Sequence, residues 1–218
     1  MSSPSEEPAW KQRAVERSTQ AAKLRAEQRV ERFLDAAQLI IAEKGSTDFT
    51  VQEVVDRSQQ SLRSFYLHFD GKHELLLALF EDALSQGAQQ IRTATADRTD
   101  PLEKLEIAVR LLFETSQLRG TAPRRALFTD FATQLLTTHP DEVRLAHVPL
   151  VGVLTELLTE AAALGRLHNG VKPRRLAALI MQTVMFNAQS LSSTDDGGGH
   201  PLTADEVWSF CAHGFARP

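Results

Sequence analysis

The chain has 218 residues, of which 42 % are hydrophobic and 24 % are charged, a composition typical of a soluble globular protein with a sizeable core. Its single cysteine excludes an internal disulfide and a thiolate metal cluster, and no apolar run approaches the roughly 18 residues of a membrane span. The net charge of −4 excludes a uniformly basic nucleic-acid binder. We expect a cytoplasmic protein without membrane attachment, in which any contact with DNA comes from a local basic patch.

One such patch lies near the N-terminus, in residues 8–32. Two interpretations remain open for it: an arm that contacts DNA, or a solvated extension that runs into a helix. We place a boundary at residue 24 and treat residues 1–24 as a basic, flexible extension. The patch has a net charge of +4, because Lys11, Arg13, Arg17, Lys23, Arg25, Arg29 and Arg32 outnumber Glu16, Glu27 and Glu31.

A helix is predicted next, ending near residue 44. Lys44 and Gly45 supply a cation and a conformationally permissive residue, the combination that commonly ends helices. The apolar side chains before them recur at helical spacing and form one buried stripe of Val30, Phe33, Leu34, Ala37 and Ile41.

Two short helices and a turn follow. Thr50 and Glu53 have the spacing of a capping box, in which each side chain accepts a hydrogen bond from the other residue's backbone amide. This pattern predicts a helix over about residues 51–57, a turn over 58–60 and a second helix over 61–68. The inward face of that second helix is expected to consist of Leu62, Phe65 and Phe69.

The remainder of the chain is predicted to be helical, so the fold class is all-α. Asp70 is placed to cap a long helix, and the Asp100–Pro101 pair combines a capping carboxylate with a proline suited to a first helical turn. Pro149 should kink or divide the third of the later helices. Those helices are expected at about residues 101–118, 123–137, 141–165, 173–192 and 203–216.

Two short helices joined by a turn cannot bury their own apolar faces, so they are stable only when packed on neighbouring helices. Such packing leaves the second helix free to project into a DNA major groove. The same arrangement also occurs in helical proteins that never bind DNA. Spacing alone therefore leaves the function open.

The residues themselves closely resemble the DNA-binding domain of TetR-family transcriptional regulators. The match runs without gaps over residues 50–75, and its most specific part is Phe-Tyr-x-His-Phe at 65–69 followed by Lys72. With the flanking helices it covers roughly residues 25–85, whereas the C-terminal half is similar only in outline. Gln59 stands where the family usually has glycine, and a left-handed backbone there would cost on the order of 1 kcal/mol.

The resemblance implies a helix-turn-helix domain at residues 25–75 and a helical ligand-binding and dimerisation domain at 76–218. It implies a sequence-specific transcriptional regulator, a homodimeric repressor released from a palindromic operator by a small lipophilic inducer. Two alternatives stay open. The chain could answer to a protein partner, or it could be a helical ligand-binding or interaction protein that keeps the fold without binding an operator.

The resemblance and the residue types together assign the DNA contacts. Arg63 suits a bidentate contact with guanine, or alternatively a surface ion pair with Asp70 or Glu74. Leu67 could pack on a thymine methyl or belong to the core, and Tyr66 could contact phosphate or be half-buried. The full set assigned to DNA is Thr50, Ser61, Leu62, Arg63, Ser64, Tyr66, Leu67, His68 and Lys72. Eight basic and nine acidic residues between 20 and 80 leave this region near neutral, so affinity should depend on the basic extension.

The C-terminal half is expected to hold the inducer and the dimer interface, although ordinary core packing explains each pocket candidate at least as well. The pocket candidates are Phe113, Phe128, Phe131, Gln134, His147, Met185 and Phe186. The dimer candidates form an apolar stripe of Ala177, Ile180, Met181, Val184, Ala188 and Leu191. No nucleophile–base pair, metal-ligand spacing or cofactor motif is found, and His68 and His73 are interpreted as exposed helix residues.

Overall fold

A computed structural model of the chain describes residues 9–117, 122–190 and 202–216. Within these ranges the regular elements are helices, apart from one isolated antiparallel bridge between Leu167 and Ala216. The predicted all-α fold class is thus confirmed. The N-terminal helices are α1 (Ala9–Lys44), α2 (Val51–Ser58), α3 (Leu62–Tyr66) and α4 (Lys72–Thr95). The later ones are α5 (Pro101–Ser116), α6 (Ala122–Ala126), a π-helical segment (Leu127–Phe131), α7 (Ala132–Thr138), α8 (Pro140–Ala146), α9 (Val148–Ala163), α10 (Pro173–Ser190) and α11 (Ala204–Phe215).

An aromatic cluster of Phe33, Phe65 and Phe69 forms the centre of the N-terminal head. The Phe33 and Phe65 rings lie 5.4 Å apart and almost perpendicular, at 85°, and Phe69 packs against both. All three side chains are buried. Because α3 has only five residues, it is far too short to be stable alone. Its position therefore depends on this cluster, which joins it to α1.

Ion pairs and a capping box fix α2 against α1. The Arg57 guanidinium donates two hydrogen bonds to the Glu43 carboxylate, at 2.8 and 2.6 Å. The predicted capping box is confirmed, with the Thr50 amide donating to Glu53 at 2.7 Å and the Glu53 amide donating to the Thr50 hydroxyl at 3.2 Å. Lys44 lies 2.6 Å from the Glu53 carboxylate and, with the Thr50 donors, lowers the pKa of Glu53 to about 2.

Two predictions about the head are wrong in detail. Leu62 is exposed rather than inward, because α3 starts at this residue and its buried side is made by Phe65 and Phe69 one turn apart. Asp70 does not cap α4. The helix instead begins after Gly71, whose φ of 156° is rarely adopted by other residues, and the Asp70 amide donates to the Glu74 carboxylate.

The apolar stripe of α10 lies inside the protomer. Its described members are at most 7 % exposed and α10 packs against α5 and α9, so the prediction that these residues form a dimer interface is wrong. The small residues instead allow α10 to approach these two helices closely. The buried members are Ala177, Ile180, Met181, Val184 and Ala188, whereas Leu191 lies outside the described residues.

Helix α4 connects the head to the C-terminal body, since it begins beside α3 and packs further along on α5, α8 and α9. Helix α1 adds a second connection by packing against α6. The predicted helix over 141–165 is divided at His147, and α8 and α9 are bent by 48° relative to each other, as Pro149 predicts. In the described ranges no single helix is long and apolar enough to cross a membrane; α8 and α9 reach that length and composition only when taken together.

The turn between α2 and α3 keeps the left-handed geometry that glycine adopts most easily. Gln59 has φ 54° and ψ 34°, and it is the non-glycine residue with positive φ in the described part of the chain. Its amide donates to the Asp56 carbonyl at 3.3 Å, and the Gln60 amide donates to the Val55 carbonyl. Gln59 therefore adopts a left-handed backbone that would be unstrained for glycine and is strained for glutamine.

We predict that Gln59→Gly raises the free energy of unfolding by about 0.5–1 kcal/mol, because relief of the left-handed strain exceeds the added entropy of the unfolded chain. Urea denaturation followed by circular dichroism measures the change. The matched control is Gln60→Gly, which relieves no positive φ and should lower stability. A Gln59→Gly protein less stable than the wild type would contradict the prediction.

Candidate nucleic-acid interface and regulatory cavity

The face of α3 opposite the aromatic cluster presents four exposed side chains. Leu62, Arg63, Tyr66 and Leu67 fall at helical spacing, with Leu62 43 %, Tyr66 55 % and Leu67 70 % exposed. The core interpretation of Leu67 and the half-buried interpretation of Tyr66 are therefore wrong. Large apolar groups beside a cation and a phenol form a surface suited to base edges, thymine methyls and phosphates.

Arg63 is free for an external partner. Its guanidinium forms no ion pair within the described ranges, and the Glu74 carboxylate accepts from the Asp70 amide instead. The alternative in which Arg63 pairs with Asp70 or Glu74 is therefore wrong. A guanidinium on an exposed helix face can donate two parallel hydrogen bonds to guanine O6 and N7.

The hydroxyl and ammonium candidates differ in what they can still donate. The Ser61 hydroxyl caps α3 by accepting from the Ser64 amide at 3.1 Å, which leaves its own hydrogen for a phosphate. The Thr50 hydroxyl and amide both donate to Glu53, so Thr50 has no spare donor. Lys72, which opens α4, lies 4.8 Å from the centroid of the Phe49 ring, and this contact fixes the side chain beside the positive end of the helix.

His68 does not point outwards as predicted. Its Nε2 atom is buried, and no partner for that atom is found among the described residues. The residue as a whole is partly exposed, so it is less accessible than predicted, and its assignment as a DNA contact stays a prediction.

The cations of the head divide into two groups. Lys44 and Arg57 are occupied by Glu53 and Glu43, and they stabilise the fold. Besides Arg63 and Lys72, the remaining positive charge lies on α1, which is helical from Ala9 onward and, with 36 residues, about 54 Å long. The described part of the predicted flexible extension is thus a helix that carries exposed basic side chains, including Arg13, Arg17, Lys23, Arg25 and Arg29.

A cavity of about 10 Å³ lies between α4, α5, α9 and α10, enough for about one water molecule. Of the predicted ligand contacts, Phe128 and Met185 line it. Gln134 is exposed and Phe186 is 71 % exposed, so neither belongs to it. Phe113 is buried elsewhere in the core, and Phe131 and His147 both pack against Phe80 of α4.

Arg124 is the charged residue that lines this cavity, and no sequence pattern pointed to it, since an Arg124–Arg125 pair is typical of a surface. Its Nε donates to the Thr115 carbonyl at 2.9 Å, and its guanidinium lies 5.3 Å from the centroid of the Phe128 ring. Burial lowers the pKa of Arg124. No carboxylate pairs with it among the described residues, so an anionic group of a ligand would find a partly desolvated cation here.

A second, open groove of about 870 Å³ lies on the outer side of α10 and α11. Leu179 of α10 and Phe210 of α11 line it and are 60 % and 73 % exposed. Phe186 is also exposed on α10, about two turns after Leu179. This apolar surface, rather than the buried stripe of α10, is the part of the two helices that another protein could contact.

A family model matches the N-terminal head of the chain. Residues 33–79 match the family described as bacterial regulatory proteins, tetR family. None of the curated protein sequences compared with the chain matches it significantly.

Solved structures share the fold over most of the chain. The fatty acid degradation regulator FadR from Bacillus halodurans is 22 % identical with a TM-score of 0.65, over 84 % of this chain and 98 % of its own. A TetR-family transcriptional regulator from Pectobacterium atrosepticum is 18 % identical with a TM-score of 0.64, over 88 % and 92 %. FadR from Bacillus subtilis, solved with stearoyl-CoA, is 18 % identical with a TM-score of 0.59, over 84 % and 98 %.

We predict that Arg63→Ala removes discrimination between a specific operator and random duplex while general DNA binding persists, because one bidentate base contact is worth about 1–3 kcal/mol. Fluorescence anisotropy with both duplexes measures the ratio of affinities. Lys72→Ala is the matched comparison and should weaken both duplexes alike, since phosphate contacts carry no sequence information. If Arg63→Ala leaves the ratio of operator affinity to random-duplex affinity unchanged, Arg63 does not contact a base.

Proposed function

We propose that this chain, which carries the amino-terminal domain of the TetR family within the fold of TetR-family regulators, is a sequence-specific repressor that a lipophilic inducer releases from DNA. The observation that carries the proposal is the exposed face of α3. A helix of five residues, held from behind by Phe33, presents an arginine that forms no ion pair within the described residues, flanked by apolar side chains and a tyrosine. An exposed surface of this composition matches what a major groove requires.

Release by an inducer would require the small cavity to expand. Ligand pockets usually enclose about 300–1,000 Å³, so a ligand must push α4, α5, α9 and α10 apart before it can bind. Because α4 also begins the head, expansion of the cavity would shift α4 and thereby α3. Ligand and operator would then favour different arrangements of the same protomer, and each would weaken the binding of the other.

The chemistry of the cavity favours an inducer with a long apolar portion and one anionic group. The walls are largely aliphatic and aromatic, while Arg124 supplies a partly buried positive charge without a carboxylate partner in the described ranges. A fatty acyl-CoA meets this description, and the Bacillus subtilis relative was solved with stearoyl-CoA. We therefore choose stearoyl-CoA as the first probe for this chain.

A homodimer would use the outer groove of α10 and α11. Leu179 and Phe210 are exposed apolar residues on neighbouring helices, and a two-fold pairing across this surface would bury both. The pairing would set two copies of α3 about one DNA turn apart, so the operator would be a palindrome. The alternative function, a ligand-binding or interaction protein without an operator, requires that no specific duplex exists.

We predict that the full chain binds DNA flanking its own gene at least about 10³-fold more tightly than a shuffled duplex of equal length. Stearoyl-CoA should release that duplex, whereas coenzyme A alone should not. Arg124→Gln should bind the duplex normally and need at least about tenfold more stearoyl-CoA, because a charged hydrogen bond is lost. Gel shift and anisotropy measure both steps, and equal affinity for flanking and shuffled DNA would overturn the operator proposal.

We predict that the double substitution Leu179→Asp with Phe210→Asp converts a dimer into a monomer at micromolar concentration, since charges would be buried at the centre of the interface. Light scattering after size exclusion gives the mass. The matched control is Leu136→Asp on α7, another leucine that is 59 % exposed, which should stay dimeric. A double variant that remains dimeric would place the interface elsewhere.

A further inference from the structure

Three side chains meet where the head contacts the body. His73 lies in the first turn of α4, directly after Lys72, while His139 stands between α7 and α8 and Glu142 lies in the first turn of α8. Each offers a nitrogen or carboxylate oxygen, and these atoms lie within 4.8 Å of one another. His139 and Glu142 follow His73 by 66 and 69 positions in the chain, and the packing of α4 on α8 brings them together.

We propose that His73, His139 and Glu142 form a binding site for a divalent transition-metal ion, with Zn²⁺ as the first candidate. Two imidazoles and one carboxylate are a ligand set that Zn²⁺ uses when water completes its coordination. With metal–ligand distances of about 2.0–2.2 Å, tetrahedral ligand atoms lie about 3.3–3.5 Å apart. His73 Nε2 and the Glu142 carboxylate lie 2.9 Å apart, and the ligand atoms of all three residues lie within 4.8 Å of one another, so small shifts would bring them to this spacing.

The His139 ring has a hydrogen-bond partner of the kind that orients metal-binding histidines, and the His73 ring is held by packing. The Nδ1 atom of His139 lies 2.9 Å from the Thr138 hydroxyl, which can accept its hydrogen and leave Nε2 for the ion. The His73 ring packs edge-on against Phe131 at 5.5 Å and lies 4.9 Å from the His139 ring. The histidines are exposed and Glu142 is partly exposed, so an ion can enter without unfolding the protein.

A simple ion pair between His73 and Glu142 accounts for two of the three groups only. It leaves the second imidazole, whose ring centroid lies 4.9 Å from that of His73, without a role. Arg144, the cation on the same helix as Glu142, lies 3.3 Å from Asp141 and pairs with it instead. A single cation shared by the three side chains explains their placement together.

A bound ion would join the first turn of α4 to α8. Because Lys72 and α3 directly precede His73 in the chain, the ion would hold the head in one orientation on the body and thereby change its affinity for DNA. This effect on DNA binding rests on the proposed function, whereas the binding of metal does not.

Isothermal titration of ZnCl₂ into the untagged full chain tests the site. We expect one ion per chain, with affinity at least about tenfold weaker in His139→Ala and in Glu142→Gln. His213→Ala removes an exposed histidine of α11 and is the matched control, with unchanged affinity. Zn²⁺ should also raise the melting temperature of the wild type but not of His139→Ala, whose circular dichroism shows whether it folds. Zn²⁺ binding that persists unchanged in both site variants, or no binding by the wild type, overturns the proposal.

The effect on the head is measured with the flanking duplex, with and without Zn²⁺, in the wild type and in His139→Ala. We expect Zn²⁺ to change the DNA affinity of the wild type alone. An unchanged affinity with one ion bound overturns the coupling. Absence of any specific DNA binding overturns the proposed function and leaves the calorimetric result to decide the metal site by itself.

Discussion

The packing of Phe65 and Phe69 against Phe33 is the interaction on which the DNA-facing surface depends. A helix as short as α3 gains too few internal hydrogen bonds to offset the entropy of ordering it. Burial of these rings, together with their edge-to-face contacts, supplies the missing free energy and fixes which side of α3 remains outside. The exposed face of Arg63 and its neighbours is therefore a consequence of what lies buried behind it.

The cations of the head differ in whether they are held in ion pairs within the protomer. Lys44 and Arg57 neutralise the acids that join α1 to α2, so they stabilise the head and add little to the attraction of phosphate. Arg63 and Lys72 remain available near α3 for the proposed DNA contacts, and the long α1 helix carries the rest of the positive charge. A chain with a net charge of −4 can thus present a local basic surface, because exposed cations lie together on α1 and near α3. Helix α4 then connects that surface to the cavity at Arg124 and to the histidine pair near α8.

Local signals in the sequence predicted the start and interruption of helices well. Thr50 with Glu53 and Pro149 act within a few residues, so their effects do not depend on the rest of the fold. The periodicity of α10 correctly predicted a buried apolar stripe. It did not predict that α5 and α9 of the same protomer cover that stripe. Periodicity shows that a face is buried and cannot show whether a neighbouring helix or a second protomer covers it.

The sites built from distant residues could not be predicted for the same reason. Arg124 and Thr115 meet only after α5 and α6 pack, and His73 meets His139 only through the contact of α4 with α8. Gln134 and Phe186 failed as cavity residues because composition does not tell which side of a helix faces inwards. Asp70 lost its capping role to Gly71 and Glu74, a choice between close alternatives that a single sequence leaves open.

The central claim is that the exposed face of α3, held by the aromatic cluster, reads a DNA sequence in a two-fold assembly. Selection of bound duplexes from a random library by the full chain, followed by sequencing, tests it most directly. The selected duplexes should converge on a palindrome whose half-site centres lie about 10 base pairs, or a multiple of that spacing, apart. A selected pool that stays random, or that converges on a site without two-fold symmetry, would contradict it.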